Sequence, residues 1–182
     1  DAISLYAQFT RLAGDRFSGK ALDNRIGCYV LLELAKRMRN SKLNLVLVGT
    51  VQEEVSMLGK GAGITAYSEQ PDCFVAVDTS VATDHPECGS EHDVIALGKG
   101  PAIVLLEARG VGNISDKRLV RWLTKSAEKA HVPYQLEAIE GGATDASDVF
   151  NVREGIPSIS IGVPTRYIHS CVSVSSVKDV EL

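Results

Sequence analysis

The sequence has no long basic run, no CxxC pair and no apolar stretch approaching the roughly 20 residues that cross a membrane. Each absence removes a class of function. With 19 Lys and Arg against 23 Asp and Glu and no basic stripe, nucleic acid and anionic membranes are excluded as main partners. The four cysteines, Cys28, Cys73, Cys88 and Cys171, are too widely spaced for a zinc finger or a disulfide framework. They read instead as small buried thiols in a reducing, cytoplasmic compartment. Aromatic residues are only 5%, so core packing falls to the Val, Leu, Ile and Ala within a 45% apolar fraction. No signal-peptide pattern opens the chain. It starts Asp1-Ala2-Ile3-Ser4 without an initiator methionine, as a fragment or a processed form does. A length of 182 residues corresponds to one domain.

What is present is an alternation of helical and strand patterns. Ile3 to Phe9 reads as a short strand, followed by a turn at Gly14-Asp15. Asp23 or Asn24 caps a helix that runs to about Arg39, with Ile26, Val30, Leu31, Leu34 and Ala35 at helical spacing. The run Leu43–Val51 predicts a buried strand. A short helix follows near Gly61–Tyr67, then a strand from Cys73 to Val77 that ends in Asp78. Residues 79–101 read as a long loop with one strand at Val94–Leu97. Ala102–Leu106 predicts a strand, and Ser115 opens an amphipathic helix to about Ala130. Strands at Tyr134–Ile139 and Ile156–Val163 flank a short helix from about Asp145, and a final strand ends the chain. Mostly apolar strands alternating with helices predict an α/β sheet covered on both faces, mixed but mostly parallel.

In open α/β sheets, sites form beyond the carboxyl ends of strands. There the sequence sets Glu53 and Glu54, then Asp78, then His169, with Asp23 at a turn before a helix. Carboxylates with an imidazole are a ligand set that divalent metals accept, and this many carboxylates suit two ions better than one. Adjacent Glu53 and Glu54 point in different directions if the strand continues through them. That suggests that one holds a metal and the other moves a proton. Each residue has a plainer role open to it. Asp23 could be an N-cap, Asp78 an Asx-turn, His169 a loop hydrogen-bonding residue, and the two glutamates partners of Lys20, Lys60 or Arg25. His85 and His92 lie in the acidic 79–101 loop, and His131 ends a helix. Gly141-Gly142-Ala143-Thr144-Asp145-Ala146-Ser147-Asp148 is a turn into a helix N-terminus, whose amides could approach a substrate carbonyl or an anion, or where Asp145 and Asp148 could be ordinary capping residues.

Taken together, GKALDNRIG (19–27), VQEEVSMLGKGAG (51–63), AVDTS (76–80), GGATDASD (141–148) and PTRYIHS (164–170) resemble the glutamyl, or tetrahedral, aminopeptidases. These are dinuclear zinc peptidases often labelled cellulases or endoglucanases. The resemblance spans nearly the whole chain in the family's order. It implies a three-layer α/β/α sandwich of the zinc-exopeptidase type and an activity that hydrolyses N-terminal residues from peptides. It implies that Asp23 bridges two divalent ions, zinc by family habit, with cobalt or manganese as alternatives. Glu54 and His169 match terminal ligands of one ion, Asp78 a ligand of the other, and Glu53 the general base. Family members build homo-oligomers, from dimers to tetrahedral dodecamers. The family also has a ligand His and an inserted β domain ahead of the GKALDNR stretch, whereas the residues before Asp23 contain no His. The expectation is therefore a single catalytic domain over 1–182, truncated at its N-terminal side. A deacylase and an inactive assembly or binding module are the alternatives.

Overall fold

The computed structural model describes residues 3–38, 42–55, 60–86, 88, 95–108 and 112–181, with the side chain of Lys60 outside the description. In chain order the strands are β1 (Thr10–Arg11), β2 (Arg16–Gly19), β3 (Phe74–Val81), β4 (Ala102–Glu107), β5 (Asn113–Ile114), β6 (Gln135–Ile139), β7 (Ser158–Arg166) and β8 (Ser173–Ser176). The helices are α1 (Leu22–Arg37), α2 (Lys60–Glu69), α3 (Lys117–Ala130), α4 (Asp145–Val149) and α5 (Val177–Val180).

The body of the sheet runs β3-β7-β4-β6. β3 lies parallel to β7 along its full length, Phe74 opposite Ser158 to Val81 opposite Thr165. β4 lies parallel to β6 and antiparallel to β7. An antiparallel ribbon, β8-β2-β1, continues from the end of β7. The sheet is thus mixed, with parallel ladders leading in its body.

Helices cover both faces. On one face α1 packs through Leu22 and Ile26 against Phe17 and Val163, and α3 through Leu119 against Ile103 and Ile159. On the other face α2 and α4 share a cluster of Ala62, Ala66, Val149 and Ile156. The architecture is the expected three-layer α/β/α arrangement. α3 forms because Asp116 accepts from the Arg118 amide as its N-cap, while a strongly one-sided apolar stripe faces the sheet. α1 turns helical only after Asp23 and Asn24, whose backbones are not helical. The Asn24 side chain then accepts from the Gly27 amide at 2.7 Å and caps the turn.

Several expected elements differ. Residues 44–50 form no strand, and Leu43, Leu45 and Val46 are exposed. Among the described residues β3 is paired on its β7 side only, and the apolar run makes no ladder with the open edge. Residues 3–9 carry no regular structure; the local strands are β1 and β2 instead. Residues 95–97 lie outside the sheet, while Val94 and Arg39 fall outside the described residues. β3 and β7 extend further than expected, to Val81 and Arg166, because each supplies the other's ladder as far as Thr165 and β8 pairs with Arg166. The cysteines are not buried thiols. Cys28 and Cys73 are exposed and Cys88 and Cys171 half-buried, all four unpaired. Cys28 sits on the solvent side of α1, and Cys73 precedes β3. No described helix is long and apolar enough to cross a membrane.

Candidate metal centre

Three separate local structures deliver three of the four predicted ligands, Asp23, Glu54 and His169, to one place. Asp23 sits in the non-helical entry to α1. Its neighbour Asn24 donates through Nδ2 to the Val77 carbonyl at 2.8 Å, tying that entry to β3 one residue before Asp78. The approach requires glycine at position 27, where a Cβ would lie 2.7 Å from the same carbonyl oxygen. Glu53 and Glu54 do not end a strand. They open a 3₁₀ turn, Glu53–Val55, entered through a left-handed Gln52 at φ 65°. His169 lies in the turn after β7, itself left-handed at φ 64° and preceded by Tyr167 at φ 57°. Such conformations cost a non-glycine residue about 1 kcal/mol or more, and they mark segments held in place by their surroundings. The His169 turn is held by Ser173, whose hydroxyl donates to the Tyr167 carbonyl at 2.9 Å. It is also held by Arg166, which forks onto the Asp84 carboxylate at 2.7 and 2.8 Å.

His169 Nε2 lies 3.1 Å from Asp23 Oδ2 and 3.2 Å from Glu54 Oε2. The ligand atoms of these three residues all fall within 4.8 Å of one another, close enough to share one ion. Asp78 stands outside that triplet but beside Asp23. Its Oδ1 accepts from the Thr79 amide at 2.7 Å. Burial above all pushes the Asp78 carboxyl up to about 8, opposed by the Thr79 amide and reinforced by Asp23 and Glu53. Glu53 is raised to about 7, first by burial and then by Asp145, Glu54, Asp23 and Asp148. Glu54 is raised by burial and by Asp23, with His169 acting in the opposite direction. The carboxylates thus repel one another in a partly dry site, and a divalent cation would relieve that repulsion. The donor set, oxygens with one imidazole nitrogen, fits zinc, cobalt or manganese.

Among the described residues neither glutamate pairs with Lys20 or Arg25, and the Lys60 side chain lies outside the description. Glu54 meets His169, and the Lys20 ammonium donates to the Leu5 carbonyl at 3.1 Å.

A second group of carboxylates adjoins the first, with Asp145 and Asp148 acting electrostatically on Glu53. Asp145 is not the cap of α4; Thr144 is, accepting from the Ala146 amide at 3.1 Å. Asp145 instead accepts from the Thr50 hydroxyl at 2.7 Å, three residues before Glu53. Asp148 is raised to about 6 by burial, Asp145 and Glu107. Glu107 is only 2% exposed and Glu137 only 9%. Ser80, two residues beyond Asp78 on β3, donates to Glu137 at 2.5 Å. The available signal was a carboxylate ending an otherwise apolar strand, Ala102-Ile103-Val104-Leu105-Leu106-Glu107. His85 packs against the Tyr167 ring, with its Nε2 3.1 Å from Cys88 Sγ. His92 lies outside the described residues. His131 ends α3 in the left-handed conformation.

The profile of the M42 glutamyl aminopeptidases matches residues 1–182. Glutamyl aminopeptidase of Lactococcus lactis is 34% identical over 168 residues, which are 91% of this chain and 44% of that protein. Among solved structures, the aminopeptidase APDkam598 of the archaeon Desulfurococcus kamchatkensis superposes with a TM-score of 0.90 at 37% identity, covering 96% of this chain and 48% of that one. The TET1 peptidase of Pyrococcus horikoshii, described as assembling into a tetrahedron or a large octahedral shell, gives 0.74 at 30% identity, covering 96% and 49%. The chain spans about half the length of the curated relatives it matches.

Proposed function

Since the chain belongs to the M42 glutamyl aminopeptidase family, we propose that it is the metal-bearing part of a catalytic subunit that removes N-terminal residues from peptides. The observation carrying this reading is the convergence of Asp23, Glu54 and His169 ligand atoms within 4.8 Å. Asp23 would bridge two divalent ions, Glu54 and His169 would complete one, and Asp78 would contribute to the other. When bound, the ions supply Lewis-acid polarisation of the scissile carbonyl and a lowered pKa for water. Zinc is our choice of ion, and elemental analysis of protein purified without added metal tests it against cobalt and manganese.

The remaining chemistry belongs to the chain. Glu53, half-buried and raised to about 7, takes the proton of the attacking water and returns it to the leaving amine. A carboxylate titrating near neutrality suits both halves of that transfer. Asp145 and Asp148, which bear electrostatically on Glu53, present negative charge to the substrate's α-ammonium. That preference makes the enzyme an exopeptidase. In the intact subunit Glu53→Gln is expected to lower kcat by about a hundredfold or more with divalent-ion binding unchanged. Full turnover in that variant would sink the assignment.

The shared metal chemistry also suits a deacylase. Peptides with free and with acetylated N-termini separate the two, since only an aminopeptidase requires the free amine. We take the domain to be the C-terminal part of a longer catalytic subunit, cytoplasmic as its unpaired thiols suggest, assembling from dimers toward a tetrahedral dodecamer. Solution mass tests the assembly. An assembly or binding module without turnover is the outcome if the intact subunit holds metal but cleaves neither peptide class.

A further inference from the structure

Glu107 has no part in the chemistry above, yet it is almost completely buried and has no cationic partner among the described residues. Burying a carboxylate this way is costly unless hydrogen bonds compensate it. Here hydroxyls do so. Oε1 accepts from Thr144 at 2.7 Å and from Ser160 at 2.9 Å, while Oε2 accepts from Ser147. Two of these hydroxyls belong to α4 and its cap, and the third to β7. The carboxylate therefore nails the start of a five-residue helix to the sheet. That helix is too short to fix its own orientation by backbone bonding.

The next link is Asp145, the first residue of α4, which accepts from the Thr50 hydroxyl at 2.7 Å. Thr50 opens the segment that becomes the Glu53–Val55 turn. The same segment is braced from the other side by α2, where Gly61 lets the helix backbone approach Val51 closely. α2 and α4 share one apolar cluster. The Glu53 segment belongs to no ladder, so these side-chain and packing contacts replace the strand pairing that would otherwise fix it.

We propose that Glu107 is a positioning residue for Glu53, acting through Thr144 and Ser147 on α4 and through Asp145 on Thr50. The proposal rests on Glu53 being the general base, but the placement of its segment can be read without activity.

The test uses Glu107→Met, which keeps the volume but removes the carboxylate acceptor that joins the hydroxyls, Glu107→Gln, which keeps an acceptor, and Thr50→Val, which cuts the far end of the chain of contacts. In the intact subunit, Glu107→Met and Thr50→Val should each lower kcat by roughly tenfold or more at little-changed KM, because small displacements of a reacting group are expensive. Glu107→Gln should recover most of the loss. The double variant Glu107→Met with Thr50→Val should lose no more than the worse single variant, as two cuts in one chain of contacts do. Amide hydrogen exchange over residues 50–55 should accelerate at least tenfold in both single variants. Local acceleration at 50–55 with Gln rescue supports the proposal even if the intact subunit proves to have no peptidase activity, in which case only the functional reading falls. Unchanged exchange at 50–55 in folded Glu107→Met overturns it, as does an additive double variant. If Glu107→Met fails to fold, Thr50→Val and Glu107→Gln decide on the same readouts: faster exchange at 50–55 in Thr50→Val and near-parental exchange in Glu107→Gln support the proposal, and unchanged exchange in Thr50→Val overturns it.

Discussion

Glu53 and Asp78 are carboxyls whose folded environment favours the protonated form, chiefly through burial, to about 7 and about 8. In the unfolded chain both return to about 4. Between those values the folded state binds more protons than the unfolded one, so stability falls as pH rises. The contribution is complete below about pH 4 and is lost as pH passes through 7 to 8. Chelator-treated chain is therefore expected to melt at progressively lower temperature from pH 5 to pH 8.5, and Glu53→Gln or Asp78→Asn should flatten that slope. A melting temperature that rises over the same range in metal-free protein would contradict the placement of these two groups. The direction is opposite to that of Asp84, whose pairing with Arg166 lowers its carboxyl. The site carboxylates are destabilising groups kept for what they bind, whereas Asp84 is kept for the bond it makes.

At the level of elements, the site depends on how closely α2 meets the Glu53 segment. Gly61→Ala would improve helix propensity by roughly 1 kcal/mol. The added Cβ would nevertheless stand 2.6 Å from the Val51 amide nitrogen and 2.8 Å from its carbonyl oxygen, both backbone atoms that yield only if the segment moves. Such overpacking costs about 1–3 kcal/mol, so the net effect is expected to be a loss of stability, measured by denaturant unfolding. The His169 turn has its own brace. Arg166→Lys keeps the charge but loses the fork onto Asp84, and is expected to cost roughly 1 kcal/mol and to weaken metal binding without touching a ligand. These contacts also show what could be read in advance. α1 and α3 are legible because their caps and apolar stripes are local, β3 and β4 because each begins as an apolar run, and β7 because Ser158 and Ser160 alternate with Ile159 and Ile161. Of the residues singled out at element ends, Asp23, Glu54 and His169 cluster within 4.8 Å and Asp78 stands beside Asp23. The 43–51 run differs from expectation because strand propensity alone does not secure a ladder, even beside the open edge of β3. Glu107 was invisible as a functional residue because its hydroxyl partners, Thr144, Ser147 and Ser160, lie far along the chain and their types suggest nothing but turns.

For the whole molecule, the three clustered side chains come from the entry of α1, the 3₁₀ turn and the loop after β7, so one ion would join two segments of the first third of the chain to one in the last. A ligand that binds only the folded state adds stability by mass action, about 2.7 kcal/mol at a hundred times its dissociation constant. Because among the described residues only Asp23, Glu54 and His169 have ligand atoms close enough together, and Asp78 stands apart beside Asp23, the described residues offer one prepared position rather than two. Calorimetric titration with zinc is expected to give a stoichiometry near one, with the melting temperature rising as zinc is added. His169→Ala should abolish both effects, since two carboxylates alone hold zinc weakly at neutral pH. Asp78→Asn should leave the stoichiometry of the first ion unchanged. Two tightly bound ions per chain would show that Asp78 completes a second position with partners outside the cluster. Retention of one ion by His169→Ala would show that the imidazole near Asp23 and Glu54 is a hydrogen-bonding neighbour and not a ligand.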